Sequence, residues 1–231
     1  MPSSFSEALA GTLARRIGGD WISADDLRAL LVHEFNSQVQ LVEAAAVDLQ
    51  AVLDRDAACN SLLEPFLFFK GFQSLQVHRV AHALWKSHRR LAALALQSQV
   101  SRALGVDIHP AAQIGYGILM DHATNVVIGE TAIIGNYVSI LHGVSLGGNG
   151  KEKGDRHPKV GDGVMIGAHA QLLGNIRIGK GAKIGAGAVV LENVPPHTTY
   201  AGVPAEKVGR TAESMPSLEM NQDFTTDSPK N

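Results

Sequence analysis

Cysteine is nearly missing from the sequence, in which Cys59 is the single thiol among 231 residues. A lone thiol forms no disulfide within one chain, so a small secreted scaffold held together by disulfides is excluded. We expect Cys59 to serve as a small apolar side chain in the core. The lack of disulfides favours a reducing compartment, and we predict a cytoplasmic protein.

Long apolar runs and an excess of one charge are missing as well. No stretch approaches the roughly 18 apolar residues that a membrane-spanning helix requires. Polar Ser3, Ser4 and Ser6 and acidic Glu7 interrupt the first 20 residues, so no signal peptide is predicted. The 22 acidic and 20 basic residues leave a formal net charge of −2. We therefore expect neither nucleic acid nor a membrane as a partner.

The first half of the chain has the apolar spacing of helices. Leu27, Leu31 and Phe35 recur four residues apart on one helix face, and Ser23 with Asp26 forms a capping box before them. Further helices are predicted over about 37–53, 61–71, 73–85 and 89–104, the last closed by the glycine at 105. We predict an all-helical domain over residues 1–105.

Glycine is abundant, with 24 residues, whereas aromatic residues make up only 5% of the chain. From residue 108 onward an aliphatic side chain returns every six positions, interrupted twice and often followed by glycine. The series is Ile108, Ile114, Met120, Ile128, Ile134, Ile140, Leu146, Val160, Ile166, Leu172, Ile178, Ile184 and Val190. This period is typical of a parallel β-helix, in which three short strands form one triangular coil and the aliphatic side chain points inward. We predict an α+β chain with such a solenoid over residues 106–205.

Two interruptions break the six-residue series. Two extra residues lie between Met120 and Ile128, and a longer insertion over residues 147–159 must leave the solenoid as one protruding loop. Loops on a regular solenoid often carry function. Residues 206–231 are polar and lack periodicity, so we predict a polar C-terminal tail there.

Five histidines fall in the solenoid half, and imidazole suits general base catalysis near neutral pH. They are His109, His122, His142, His157 and His169. Attack of an alcohol on a thioester needs such a base, with a carboxylate to fix its tautomer. Asp107 and His122 stand 15 positions apart, close to one coil, which allows them to lie at the same corner on neighbouring coils. This spacing permits a base–carboxylate pair, and it equally permits two solvent-facing turn residues.

Several runs of residues form recognisable motifs. They occupy 106–112, 121–124, 128–132, 145–148, 154–159, 185–190, 194–199 and 201–205, with 55–56, 61–63 and 69–72 in the helical half. Together they resemble the serine acetyltransferase family over about residues 50–210. The Asp-His-Ala-Thr run at 121–124 and the Gly-Asp-Arg-His-Pro run at 154–158 are the most specific. The resemblance implies a left-handed parallel β-helix enzyme that moves an acetyl group from acetyl-CoA to L-serine, the first step of cysteine biosynthesis from serine.

The resemblance implies a role for each matching residue. His122 is the general base on the serine hydroxyl, and Asp107 orients it. Arg156 grips the serine carboxylate with a charge-assisted fork, and His157 lines the same pocket. Taken without the motif, Arg156 and His157 would be part of a solvated loop.

The amino group of serine and acetyl-CoA have implied positions as well. Asp121 and Asp56 face the serine ammonium, and Asp56 is expected to come from across a subunit boundary. Acetyl-CoA lies along the groove between adjacent solenoids as a co-substrate. Its implied contacts are Gly148, Ala168, Lys183 and Ala186, although the repeat by itself also favours glycine and alanine at such positions.

The resemblance also implies assembly and regulation. Members of the family form trimers with active sites at the subunit seams, and the helical domain joins two trimers into a hexamer. L-cysteine is the expected inhibitor, since it mimics serine. Many relatives end in an isoleucine that binds O-acetylserine sulfhydrylase, whereas this sequence ends at Asn231, so we do not expect that partnership.

Alternative functions remain open at this point. Three imidazoles such as those of His122, His142 and His169 bind zinc in some solenoids that hydrate carbon dioxide. That function leaves the loop at 156–157 without a purpose, and we expect no metal. The acceptor could instead be homoserine or a sugar, and the chain could be a non-catalytic regulatory partner.

Overall fold

The computed structural model describes residues 4–19, 21–150, 153–211 and 213–222. The helices of the first half are α1 (Phe5–Ile17), α2 (Ala24–Ser37), α3 (Val39–Arg55), α4 (Leu63–Leu67), α5 (Lys70–Lys86) and α6 (Arg90–Leu104). Gly105 closes α6 in the left-handed conformation with φ 67°, and the first strand begins at the next residue. Within the described ranges, no helix has the length and the apolar content that a membrane crossing requires.

Local signals explain where the first helices begin. Ser23 Oγ accepts the amide of Asp26, as the predicted capping box requires, and α2 starts directly after it. Ser4 caps α1 in the same way, a helix that the sequence analysis missed. The predicted end of a helix at Gly71 is wrong, because this glycine lies in the first turn of α5. It lets α5 approach the solenoid: a Cβ there would overlap the carbonyl oxygen of Met120.

The strands of the second half form three sheets. Sheet A contains β1 (Val106–Ile108), β4 (Val126–Ile128), β7 (Ser145–Gly147), β10 (Gln171–Leu173) and β13 (Val189–Val190). Sheet B contains β2 (Gln113–Ile114), β5 (Ile133–Ile134), β8 (Lys159–Val160) and β11 (Arg177–Ile178). Sheet C contains β3 (Leu119–Met120), β6 (Ser139–Ile140), β9 (Met165–Ile166), β12 (Lys183–Ile184), β14 (Thr198–Ala201) and β15 (Glu206–Arg210).

The six-residue series forms the core of the solenoid. In sheet A, Ile108 pairs with Ile128, Ile128 with Leu146, and Leu146 with Leu172, all in parallel register. These side chains are buried and stack inside the prism. The predicted helical region followed by a parallel β-solenoid of hexapeptide repeats is therefore confirmed.

The three outer faces of the solenoid differ in how far other parts of the chain bury their outward side chains. Helices α3 and α5 pack on β3 of sheet C. The outward side chains Ser139, Met165, Lys183 and Thr199 of that sheet are all buried. On sheet A, Val127 is exposed and Asp107 is half-buried. On sheet B, Gln113, Ile133 and Arg177 are exposed as well. Sheets A and B therefore both keep outward side chains open to solvent, and sheet A has one edge beside sheet B and the other beside sheet C.

A buried ion pair fixes the helical half to the solenoid. Asp48 of α3 is fully buried, and its Oδ2 accepts from Arg79 Nη2 at 2.7 Å and Arg79 Nε at 3.1 Å. Gln76 donates to the same oxygen, and the backbone amide of Ile118 donates to Oδ1 at 3.0 Å. Arg79 in turn donates to the carbonyl of Gly115 at 2.7 Å. Groups from both halves therefore satisfy this charge pair.

The predicted polar tail over 206–231 needs a correction in its described part. Residues 206–210 form β15, which pairs antiparallel with β14. Helix α7 (Pro216–Glu219) packs on α3 and β9, and Ser217 Oγ donates to the carbonyl of Tyr137. The residues of this segment form hydrogen bonds with the backbone at the end of the solenoid. Such pairing does not depend on a periodic apolar pattern, so the sequence pattern does not reveal it. Residues 223–231 lie outside the described residues.

His78 makes the helical core sensitive to acid. Its ring is buried in α5, and burial lowers its pKa from 6.5 to about 3. The unfolded chain binds a proton below pH 6.5 that the folded chain excludes, so the stability falls as the pH decreases from 6.5 towards 3. Denaturant unfolding should show a loss of about 2 kcal/mol between pH 7 and pH 5 that His78→Gln reduces. Equal losses in both proteins would contradict this prediction.

Candidate active site

The turns that join sheet C to sheet A form what we call the histidine corner (residues 121–125, 141–144, 167–170 and 185–188). His122, His142 and His169 lie there on successive coils. His122 and His169 have left-handed backbones, with φ 54° and 60°. Sharp turns of the solenoid require this conformation, which places both side chains outside the prism. The side chain of His122 is 75% exposed.

The three imidazoles of the histidine corner form a column of edge-to-face contacts. The ring centroids of His122 and His142 are 5.9 Å apart, and those of His142 and His169 are 4.8 Å apart. A zinc site needs ring nitrogens that converge on one point, which this packing does not provide. Among the described residues, no group of three or more His, Cys, Asp or Glu side chains is placed to hold a metal ion. The zinc alternative therefore has no ligand set within one chain.

A cavity of about 420 Å³ opens beside His122. Asp56, Asp121, Lys70 and Arg16 line it with the imidazole, and its remaining walls are apolar. Asp121 Oδ1 lies 3.8 Å from His122 Nε2. Lys70 Nζ donates to Thr124 Oγ1 at 2.5 Å, which ties α5 to the histidine corner. The cavity thus combines a base with two carboxylates of the kind that an ammonium group requires.

The position of Asp56 differs from the expectation. Asp56 was expected across a subunit boundary from His122, but both line the same cavity of one chain. The reason is that α3 packs on β3, so the end of the helix meets the turn that follows the strand. The sequence did not show which strand the helix covers.

The turns that join sheet A to sheet B form a second group, here called the arginine corner (residues 109–112, 129–132, 148–150, 153–158 and 174–176). Thr131 organises it: its Oγ1 accepts the backbone amides of Arg156 at 3.0 Å and His157 at 3.1 Å. The amide of Thr131 donates to His157 Nδ1 at 3.2 Å. Arg156 Nη2 donates to Glu130 Oε2 at 2.8 Å. These contacts hold the protruding loop against the solenoid.

Around Thr131, the arginine corner places the Arg156 guanidinium beside two neutral imidazoles. The hydrogen bond from Arg156 lowers the pKa of Glu130, which is therefore ionised near neutral pH. Burial lowers the pKa of His157, and the charge of Arg156 lowers it further. Burial also lowers the pKa of His109. Because Nδ1 of His157 accepts the Thr131 amide, its Nε2 carries the proton.

Asp107 lies in the middle of β1, on the flat of sheet A between the two corners. Its Oδ1 accepts from Gln97 Nε2 of α6 at 2.6 Å. Its described side-chain partner is Gln97, and the placement at the same corner as His122, which the spacing permitted, is not found within one chain. A spacing of 15 residues is not a whole coil here, because the pairing residue of Asp107 on the next coil is Val127.

The implied acetyl-CoA positions are also divided between the corners. Ala168 and Ala186 follow one another at the histidine corner, whereas Gly148 lies beside Arg156. Lys183 is a correction, because its side chain is only 1% exposed. It occupies an outward position of sheet C that is closed off in this fold, so it cannot meet a nucleotide at the surface.

The sequence analysis gave no role to several residues that shape these two corners. Glu130 and Thr131 stand in the motif at 128–132, and Lys70 stands in the motif at 69–72. Their membership of the motifs was the signal that could have found them. His142 had been considered only as a zinc ligand.

Comparison with known proteins agrees with this geometry. The family model described as "Serine acetyltransferase, N-terminal" matches residues 2–77, and "Bacterial transferase hexapeptide (six repeats)" matches 157–192. The serine acetyltransferase of Escherichia coli (strain K12) is 51% identical over 96% of this chain and 81% of that protein.

Solved structures show the same likeness. A serine acetyltransferase of Vibrio cholerae O1 superposes with a TM-score of 0.95 at 51% identity, covering 96% of this chain and 86% of that one. A serine acetyltransferase solved in complex with cysteine gives 0.94 at 49% identity, covering 96% of this chain and 87% of that one. The chain therefore belongs to the serine acetyltransferase family of acetyl-CoA-dependent, hexapeptide-repeat acyltransferases.

Proposed function

We propose that this chain acetylates L-serine at a site formed between two copies of the chain, with the histidine corner of one copy facing the arginine corner of the other. One observation carries the proposal. The residues suited to the chemistry are divided between two corners at opposite edges of sheet A, and that sheet keeps outward side chains such as Val127 exposed. A neighbouring solenoid packed against that face brings unlike corners together.

The histidine corner supplies the base. The imidazole of His122 takes the proton of the serine hydroxyl, and the serine oxygen forms a bond to the carbonyl carbon of the thioester. The tetrahedral intermediate then expels the CoA sulfur, which leaves as the thiol once it regains a proton from the imidazolium. Asp107 lies on sheet A, the face proposed to meet the neighbouring copy. There its carboxylate orients the imidazole and stabilises the imidazolium.

Charges at the two corners position the amino acid. Asp56 and Asp121 in the 420 Å³ cavity suit the ammonium group of serine. Arg156 suits the carboxylate: two of its N–H groups are bound by Glu130 and the carbonyl of Gly154, and the others remain to form a fork. The neutral Nε2–H of His157 adds a further donor.

Acetyl-CoA suits the groove along the same seam. Ala168 and Ala186 lie one above the other at the histidine corner, and Gly148 lies at the arginine corner, so small residues face the groove from both sides. Small side chains let a pantetheine arm reach the backbone amides. Lys183 is excluded from this set because it is buried.

L-Cysteine is the inhibitor that this site suits, since it carries the same ammonium and carboxylate groups as serine. A relative with 49% identity has been solved in complex with cysteine, which supports the proposal. We further propose trimers, joined in pairs through the helical halves. The residues on which the expectation about O-acetylserine sulfhydrylase depends, at 227–231, lie outside the described residues.

The experiment measures thiol release from acetyl-CoA with L-serine, L-homoserine or no acceptor, for the chain and for mixed variants. Release should require L-serine. His122→Asn and Arg156→Ala chains should each be nearly inactive. When the two are unfolded and refolded together, about a quarter of the seams combine two intact corners, so about a quarter of the activity should return.

Two outcomes separate the parts of this proposal. A mixture of His122→Asn with Asp121→Ala is the matched control, because both changes lie at the same corner and no seam is intact. Activity in that control above the mean of its two variants refolded separately, or no gain of activity in the first mixture, would overturn the shared site. Release with L-homoserine alone would overturn the acceptor and leave the chemistry of His122 in place.

A further inference from the structure

Gln97 connects the helical half to the carboxylate assigned to orient the base. It lies on α6, and its amide Nε2 donates to Asp107 Oδ1 at 2.6 Å. Both side chains are half-buried, so the bond is partly shielded from water. A shielded hydrogen bond to a carboxylate is stronger than one in water and restricts the rotation of the acceptor.

The surroundings behind Gln97 are neutral. Gln97 lines a cavity of about 10 Å³ together with Ser74 and His78 of α5, and its other walls include Leu96 and Val100. His78 has its pKa lowered to about 3 by burial, so it carries no charge at neutral pH. Gln97 therefore brings a hydrogen-bond donor to Asp107 without bringing a positive charge.

A neutral donor has a specific advantage at this position. An orienting carboxylate stabilises an imidazolium through its full negative charge, and a lysine or arginine partner would compensate that charge. An amide fixes the direction of the carboxylate and leaves its charge available. The helical half thus contributes to the orientation of the base, in addition to the ammonium contact proposed for Asp56.

We propose that Gln97 is a positioning residue, which holds the Asp107 carboxylate in the orientation that the imidazole of His122 requires. The proposal rests on the proposed function of Asp107. It assigns α6 a part in the reaction, beside the ammonium contact already proposed for Asp56 at the end of α3. Gln97 itself does not touch the substrates.

Three variants test the role of Gln97. Gln97→Met keeps the length of the side chain and removes the donor, and kcat should fall about tenfold while KM for serine changes less than about twofold. Gln97→Glu places a second carboxylate beside Asp107, which favours the protonated imidazole. The acid limb of kcat/KM should therefore move to higher pH by about half a unit or more. Ser98→Ala, at an exposed neighbouring position of α6, is the control and should match the wild type.

The pH readout depends on charges that the variants leave unchanged. Around Gln97, Asp107 and His122 these groups are Arg16, Asp56, Lys70, His78, Asp121, His142, His109, Glu130, Arg156 and His157. A purely structural role of Gln97 would lower the yield or the melting temperature of both variants without moving the acid limb. That result, or a wild-type kcat in Gln97→Met, would overturn the inference.

Asp107→Asn separates this inference from the proposed function. If Asp107→Asn loses activity and Gln97→Met does not, the role of Asp107 stands and that of Gln97 is wrong. If Asp107→Asn keeps wild-type activity, the proposed function of the carboxylate fails, and the inference about Gln97 fails with it.

Discussion

His122→Asn is expected to lower kcat for acetyl transfer to L-serine by about three orders of magnitude, within the range that general base catalysis contributes. KM for serine should change much less, because Asp56, Asp121 and Arg156 supply the charges that bind the amino acid. Asparagine tolerates the left-handed backbone of position 122, at φ 54°, so the turn is retained. The measurement is thiol release at saturating acetyl-CoA and serine.

His197→Asn provides the matched control for this prediction. His197 is also exposed, also has φ 54°, and lies at the turn between sheets B and C, away from both corners. It should retain the wild-type kcat. If His122→Asn keeps more than about a tenth of the wild-type kcat, His122 is not the base.

Asp48→Ala is expected to destabilise the chain by about 3–5 kcal/mol, the cost of breaking a buried ion pair by removing one partner. The change leaves the Arg79 guanidinium buried with carbonyl partners alone. It also removes the acceptor of the Gln76 amide and of the Ile118 backbone amide. The second of these contacts crosses from α3 to the solenoid, so the interface between the halves should weaken first.

Two further variants, Asp54→Ala and Asp48→Asn, serve as the control and the intermediate case for the loss of stability in Asp48→Ala. Asp54 is an exposed carboxylate on the same helix, and its substitution should change the free energy of unfolding by less than about 0.5 kcal/mol. Asp48→Asn keeps an oxygen for the Ile118 amide and should fall between the two. Denaturant unfolding at one fixed protein concentration gives the comparison. Equal stability of the Asp48→Ala and Asp54→Ala variants would contradict the role of the buried pair.

The sequence determined the solenoid almost completely, and the reason is local. Each coil repeats one requirement, an inward aliphatic side chain every six residues, so Ile108, Ile128 and Leu146 reveal their register without any tertiary information. The helices followed from capping and apolar spacing for the same reason. Three features escaped. They are α1, although Leu9, Leu13 and Ile17 form an apolar stripe in its sequence, the join at Gly71, and the short helix α7.

The site was predicted as a set of residues but not as an arrangement. The outward positions of a solenoid strand look alike in sequence, whether a helix covers them or solvent does. Lys183 is buried for this reason, and Asp56 meets His122 because α3 happens to lie on β3. Which outward residue meets which helix is decided by packing between elements far apart in the chain. The bond from Gln97 to Asp107 is a further contact of this kind.

The packing of α7 on the solenoid has a consequence for the order in which the chain folds. Neighbouring coils join residues about twenty positions apart, so the solenoid can grow by adding one coil to the last. The hydrogen bond from Ser217 to Tyr137 instead joins residues 80 positions apart. The entropy cost of closing this loop is offset only after the intervening coils have formed. Docking of α7 is therefore a late step in folding, and its release is the natural first step in unfolding. This short helix joins distant coils of a solenoid that otherwise assembles one coil after another.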